Sequence, residues 1–201
     1  MAGKVEARRE ALRDKLIDIA EKTIAEQGME AIRARDLARE AGCAVGAIYN
    51  VFGDMGDIVI AVNGRTFRKL GKAVAASVRE APEDPIEQLI AMSYAYLRFA
   101  VENPRLWRTL FDIQMSTSTD VPAWYLQELD ALFQNIARPL ARLFPEMHAD
   151  ELDLMTRTLF SSVHGIVLLG VENRISGVPR DRLEQMIALL LRNITAKQTV
   201  S

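Results

Sequence analysis

Apolar residues in this chain recur at intervals of three and four rather than two, a spacing that predicts helix along most of its length. Leu12, Leu16, Ile19, Thr23 and Ile24 mark the first stripe, over about 8–27, with Gly28 placed to stop it. Two short helices follow, over about 34–41 and 45–52. A long one then covers about 55–80, where Asp54 and Asp57 have the spacing of a capping box. The stretch APEDP at 81–85 is the clearest break. Beyond it the pattern predicts helices over about 85–102, 104–114, 122–143, 149–173 and 180–196. Pro85, Pro104, Pro122 and Pro179 each fall where a first-turn proline is tolerated. Pro139 lies inside the 122–143 segment and should kink or split it, and MSTSTD at 115–120 reads as a polar loop. No segment alternates with period two between turn residues. The β-branched run 57–62 is flanked by helical sequence and could hardly pair alone. The expectation is an all-α fold of about nine helices.

Four glycines, Gly42, Gly46, Gly53 and Gly56, fall within fifteen residues of otherwise helical sequence. A glycine in a helix interior costs about 1 kcal/mol relative to alanine, so the chain must turn there or approach something closely. Short helix, three-residue turn, short helix is the helix-turn-helix arrangement. Gly42 suits the left-handed position that ends the first of the pair, and the small Ala38 lets the second cross tightly. Ile48 and Phe52, four apart, can bury on one face of the second. Val45, Gly46, Ala47, Tyr49 and Asn50 are left to face outward or to flank the core. Small residues at the start of such a helix let its backbone press against a phosphate or into a major groove.

The run IAEKTIAEQGMEAIRARDLAREAGCAVGAIYNVFGDMGDIV carries Gly28, Asp36, Leu37, Ala38, Ala41, Gly42, Gly46, Ile48, Tyr49 and Phe52 in a familiar order. From about Arg8 to Leu70 the chain resembles the N-terminal domain of the tetracycline-repressor (TetR) family of transcriptional regulators. The resemblance implies a homodimer that binds a palindromic operator and is released when a small molecule enters the C-terminal domain. It divides the chain into a DNA-binding domain over 8–70 and a helical ligand-binding and dimerisation domain over 71–201. Arg33, Arg35, Ala44, Val45, Gly46, Ala47, Tyr49, Asn50 and Met55 become the candidate DNA-binding residues. Three positions depart from the family's usual pattern. Arg33 replaces a threonine before the second helix. Ala44 replaces a serine or threonine cap on the recognition helix, and Met55 replaces a lysine that usually meets a phosphate. A helical small-molecule-binding protein with weakened or lost DNA binding is the alternative these departures raise.

Charge sharpens this picture only slightly. Residues 1–72 hold 13 Lys+Arg and 11 Asp+Glu, a net of +2, and the remainder holds 12 and 16, a net of −4. Two charges are a weak nucleic-acid footprint, and Arg33, Arg35 and Arg39 could equally line a solvated helix face. Apolar residues make up 49% of 201, enough for a substantial core. No unbroken apolar run approaches the roughly 18–20 residues of a membrane span, and the N-terminal segment is charged throughout. One cysteine, Cys43, excludes an internal disulfide framework and is most simply a small buried residue. A soluble cytoplasmic protein, with no membrane partner, is expected.

The C-terminal part supplies the remaining candidates. Phe67, Tyr96, Phe99, Trp107, Phe111, Trp124, Phe133, Phe160 and His164 are each compatible with helix-bundle core, and together they suit an apolar pocket for a small apolar or amphipathic effector. His164 sits among apolar residues without an acidic, cysteine or histidine partner at ligating distance in sequence, so neither a metal nor another cofactor is expected. The last two helices carry apolar stripes too wide for one core face. Ser161 and Gly165 would let another helix approach closely. With Leu169, Leu183, Met186 and Leu190 they form the candidate dimer interface, a four-helix bundle between two copies. No nucleophile–base pair, phosphate-binding glycine loop or metal spacing points to an enzyme.

Overall fold

The computed structural model describes residues 2–112, 121–172 and 179–195. Among them there are nine α-helices and no strand. The helices are α1 (Ala2–Gln27), α2 (Ala34–Ala41), α3 (Val45–Val51), α4 (Met55–Glu80), α5 (Pro85–Glu102), α6 (Pro104–Asp112), α7 (Ala123–Leu143), α8 (Ala149–Val171) and α9 (Leu183–Thr195). Short 3₁₀ turns precede α2 and α9. The loop read at 115–120, and the helix ends read at 114, 173 and 196, lie outside the described residues. Two elements differ from the sequence reading. α1 begins at Ala2 rather than near Arg8; residues 3–11 are all exposed, so no apolar stripe marks that extension. α7 runs through the buried Pro139 as one helix and is not split.

The helices form two compact units, one of residues 1–66 with 103–125, the other of 67–102 with 126–201. In the first, Leu16, Ile24, Leu37, Ile48, Ile58 and Val62 build a closed core to which α6 adds Leu106. Polar links fix the helices around it. The Arg65 guanidinium reaches three carboxylates of α1, bonding Asp18 and standing 3.5 Å from Asp14 and 3.6 Å from Glu21. Lys15 Nζ donates to the Ala41 carbonyl at 2.8 Å, satisfying an otherwise orphaned group at the end of α2. Gly42 then turns the chain with φ +70°, a conformation that strains any residue with a Cβ. Arg105 of α6 donates to the Ala25 and Glu26 carbonyls at the end of α1. This packing joins 103–125 to the helix-turn-helix unit, whereas a single cut near residue 70 would separate them.

In the second unit α5 packs against both α8 and α9. Its core includes Leu89, Leu140, Val167, Ile187 and Leu191, all essentially inaccessible. α9 seats on α8 where Gly170 leaves room for Leu183: a Cβ on Gly170 would lie 2.4 Å from the leucine Cδ2. Arg192 pairs with Glu87 at 3.0 Å, and the Tyr94 hydroxyl donates to the Glu184 carbonyl at 3.2 Å, tying α9 to α5. α8 itself is long and apolar enough to cross a membrane, and only 28% of its 18-residue apolar stretch is buried. Polar residues such as Thr158, Ser161, Ser162 and His164 interrupt it, so no unbroken apolar run marks it in the sequence.

Candidate functional site

The turn between α2 and α3 leaves five of the sequence-predicted DNA candidates, Ala44, Val45, Gly46, Tyr49 and Asn50, exposed along α3 in the first unit. α3 is held from beneath by Ile48 and Phe52, at 0% and 5% exposure, and the Arg13 guanidinium lies 5.3 Å from the Phe52 ring centroid. Successive helical residues are about 100° apart, so 46 and 50 lie opposite Ile48, while 49 and 45 flank that face on one side. Val45, Gly46, Tyr49 and Asn50 are all exposed there, and Ala47 is half-buried at its edge. Ala44 is the extended residue before α3 and makes no side-chain cap. Adding a Cβ to Gly46 would meet nothing within 4 Å, so folding does not require glycine at this position.

The charged candidates divide. Arg35, in the first turn of α2, is exposed and makes no ion pair or hydrogen bond among the described residues. Arg33 is turned back on its own loop, donating to the Glu30 and Ile32 carbonyls, and Arg39 pairs with Asp36 at 2.7 Å. Met55 is half-buried against the head core instead of standing clear at the start of α4. A lysine there would lose apolar packing as well as gain a charge. One free N–H of that helix start, that of Asp57, already has a partner, as does the Gly53 amide just before it. Asp54 Oδ1 accepts from the Asp57 amide at 2.9 Å, and Asp57 Oδ2 accepts from the Gly53 amide at 2.8 Å.

The nine ligand candidates are not one cluster within either unit. Trp107, Phe111 and Trp124 belong to the first. Trp107 is buried, with the Phe111 ring 5.5 Å away edge-on, and Trp124 stands 5.8 Å from Tyr125 and presses so closely on Gly64 that a Cβ there would lie 2.5 Å from it. Phe67, Tyr96, Phe99, Phe133, Phe160 and His164 belong to the second. Phe160 is the hub of an aromatic cluster there, edge-on to Phe133 at 5.3 Å and to Tyr96 at 5.9 Å and stacked on the His164 ring at 5.6 Å. Phe67 and Phe99 are buried in the same unit.

His164 has a polar partner that sequence could not supply: the Tyr96 hydroxyl lies 2.7 Å from Nδ1. Burial lowers its pKa from the ordinary 6.5, so the ring is neutral at pH 7 and shares a hydrogen bond with the Tyr96 hydroxyl through Nδ1. An unfolded chain protonates this histidine before the folded one does. Its contribution to stability is therefore complete above about pH 6.5 and is lost as pH falls toward the lowered pKa. Chemical denaturation at a series of pH values should show unfolding free energy falling more steeply below pH 6.5 for the wild type than for His164→Gln. Parallel profiles would mean that the imidazole is solvated.

One buried polar residue lies outside the sequence-predicted set. Asn63 is fully buried on the inward face of α4, donating through Nδ2 to the Thr109 carbonyl of α6 at 3.0 Å. It also hydrogen-bonds the Tyr125 hydroxyl, whose pKa burial raises and that bond lowers. Asn63 Oδ1 has no partner among the described residues, and an orphaned buried acceptor costs roughly 1–3 kcal/mol. The available signal was an asparagine in the apolar register of Ile58, Val62, Thr66 and Leu70.

The proposed dimer residues also divide. Ser161 is exposed, and Gly165, Leu169, Met186 and Leu190 are half-buried. Leu183 is the exception: its side chain is core of the same chain, seated on Gly170 at 3% exposure, so it presents no surface to a second copy. Leu154 and Leu189, which sequence did not single out as contacts, stand 67% and 66% exposed on α8 and α9.

Comparison with known proteins bears on both ends of the chain. The family described as "Bacterial regulatory proteins, tetR family" matches residues 16–62, and the one described as "Tetracyclin repressor-like, C-terminal domain" matches 89–194. The HTH-type transcriptional regulator BetI of Brucella canis is 25% identical over 142 residues, covering 70% of this chain and 71% of that one. BetI of Stenotrophomonas maltophilia is 28% identical over 161 residues, covering 79% and 80%. Among solved structures, RolR in complex with resorcinol matches with TM-score 0.68 and 24% identity over 94% of this chain and 89% of that one. A protein of unknown function from Rhodococcus sp. RHA1 matches with TM-score 0.73 and 22% identity, covering 90% and 94%.

Proposed function

Because the chain belongs to the TetR family of bacterial regulatory proteins, we propose that it grips a palindromic operator as a homodimer in the cytoplasm and represses until a small effector binds. It is a ligand-responsive DNA-binding transcriptional regulator and not an enzyme. The observation that carries the reading is the outer face of α3. Val45, Tyr49 and Asn50 are exposed above an apolar core, and none of their side chains makes a hydrogen bond or ion pair among the described residues. That is the arrangement in which a second helix enters a major groove while the first crosses the phosphate backbone. Arg35 on α2 is then placed for a phosphate, and residues 8–70 act as the DNA-binding domain.

Residues 71–201 supply the dimer contact in this reading. α8 is too apolar for a helix that buries only 28% of its most apolar window in its own chain, and a second copy covering Ser161, Gly165, Leu169, Met186 and Leu190 would account for the excess. The effector is small and largely apolar, with aromatic side chains for its body. The orphaned Asn63 Oδ1 offers an acceptor for one O–H or N–H on such a molecule. Filling that position would act on both Thr109 of α6 and the head segment of α4, which gives ligand binding a route to the reading head.

Selection of genomic fragments by the intact protein tests this directly. The expected result is one enriched palindrome whose affinity falls linearly with salt on a log–log plot, each phosphate contact contributing about −0.9 to the slope. Fragments bound no better than random DNA would favour the alternative, a helical ligand-binding protein whose DNA function has been lost.

A further inference from the structure

We propose that α3 selects A·T base pairs, with the Asn50 carboxamide on adenine and the Val45 side chain against a thymine methyl, and that it makes no guanine-selecting contact. The inference rests on the reading of α3 as the groove-facing helix and adds which bases that helix accepts.

The argument begins with what the face lacks. From Ala44 to Phe52 the chain holds no charged side chain. Recognition of guanine in the major groove is dominated by Arg or Lys donating to its O6 and N7. The nearby basic side chains are committed or misplaced for that role. Arg33 is bound to its own loop, Arg39 to Asp36, and Arg13 lies beneath α3 on the Phe52 ring. Arg35 is on α2, the helix that crosses the backbone in this motif.

What the face holds points to the other base pair. Asn50 is exposed and its side chain makes no hydrogen bond among the described residues, so its carboxamide presents one donor edge and one acceptor edge. Adenine displays the complement, an N7 acceptor beside an N6 donor. Val45 is 39% exposed and lies one turn before Tyr49 on the same face. A branched apolar side chain there satisfies a thymine methyl and offers nothing to a guanine or cytosine edge. Between these positions Gly46 leaves bare backbone that packing within the chain does not require, so base edges can come close to the helix without a Cβ intervening.

Selection from a random-sequence duplex pool with the full-length protein, followed by anisotropy titrations on the enriched site, tests the assignment. The enriched half-site should hold A·T pairs where α3 lies, and replacing one with G·C should weaken wild-type binding roughly tenfold or more. Asn50→Ala should bring that ratio toward one at a single position per half-site with an unchanged melting temperature. Asn50→Arg should shift the same position toward guanine. Enrichment of G·C at the position that Asn50→Ala relaxes, or an enriched sequence unaltered by Asn50→Ala, overturns the base assignment alone. Absence of any enriched sequence overturns the DNA-binding reading and this inference with it.

Discussion

Gly165→Trp is expected to leave the protein folded, monomeric and unable to hold its operator. Gly165 lies on α8 where an added Cβ meets nothing of its own chain within 4 Å, so an indole there costs the subunit little. In the proposed dimer it would stand in the path of a second α8, beside Ser161 and along the apolar surface that includes the exposed Leu154. A stable interface needs about 1,200–2,000 Å² of buried surface with close packing, and a bulky side chain at its tightest approach separates the helices over much of that area. The loss of binding follows from the geometry of two half-sites. A tethered second head acts at high effective concentration and can raise affinity by about 10²–10⁴, so specific binding should fall by about two orders of magnitude. Gly170, five residues along the same helix, supplies the contrast. A Cβ there already falls 2.4 Å from Leu183, so Gly170→Trp should unfold the subunit. Sedimentation velocity with thermal melts separates the two outcomes. A dimer retained by folded Gly165→Trp would place the interface elsewhere.

Most helix boundaries were legible because they are set locally. Pro85 and Pro104 begin α5 and α6, and Gly42 ends α2 with positive φ, as residue type alone requires. What sequence did not disclose depends on partners far away along the chain. The attachment of α6 to the head comes from Arg105 bonding the carbonyls of Ala25 and Glu26, 80 and 79 residues distant, and helical periodicity carries no trace of it. The aromatic residues were recognised as a set by composition, but whether two rings meet depends on which helices pack, so the set divides between the units. Leu183 looks like surplus apolar surface in the stripe of α9 and becomes core only because Gly170 faces it. Met55 stands where the family usually has lysine, and the thioether is drawn into the head core that a lysine would avoid.

Replacing Gly46 should move stability and DNA affinity in opposite directions. Alanine and leucine both favour helix over glycine, by up to about 1 kcal/mol in a helix interior and less in a first turn. Neither substitution meets an obstacle, because the position is exposed and its Cβ direction is open. A gain near that limit corresponds to a rise of about 2–4 °C in melting temperature for a protein of this size. The same methyl or isobutyl group would occupy the space between Val45 and Asn50 that the reading face leaves bare. Operator affinity should therefore fall, by about tenfold for Gly46→Ala and by about a further tenfold for Gly46→Leu, since an approach held to hydrogen-bond distance cannot accommodate the added carbons. Non-specific binding should change far less, because the phosphates are held by other residues. Melting curves and anisotropy titrations on the same three proteins give both numbers. If the two variants melt higher and bind the operator as tightly as the wild type, the face of α3 around Gly46 does not touch DNA, and the head must dock through another surface.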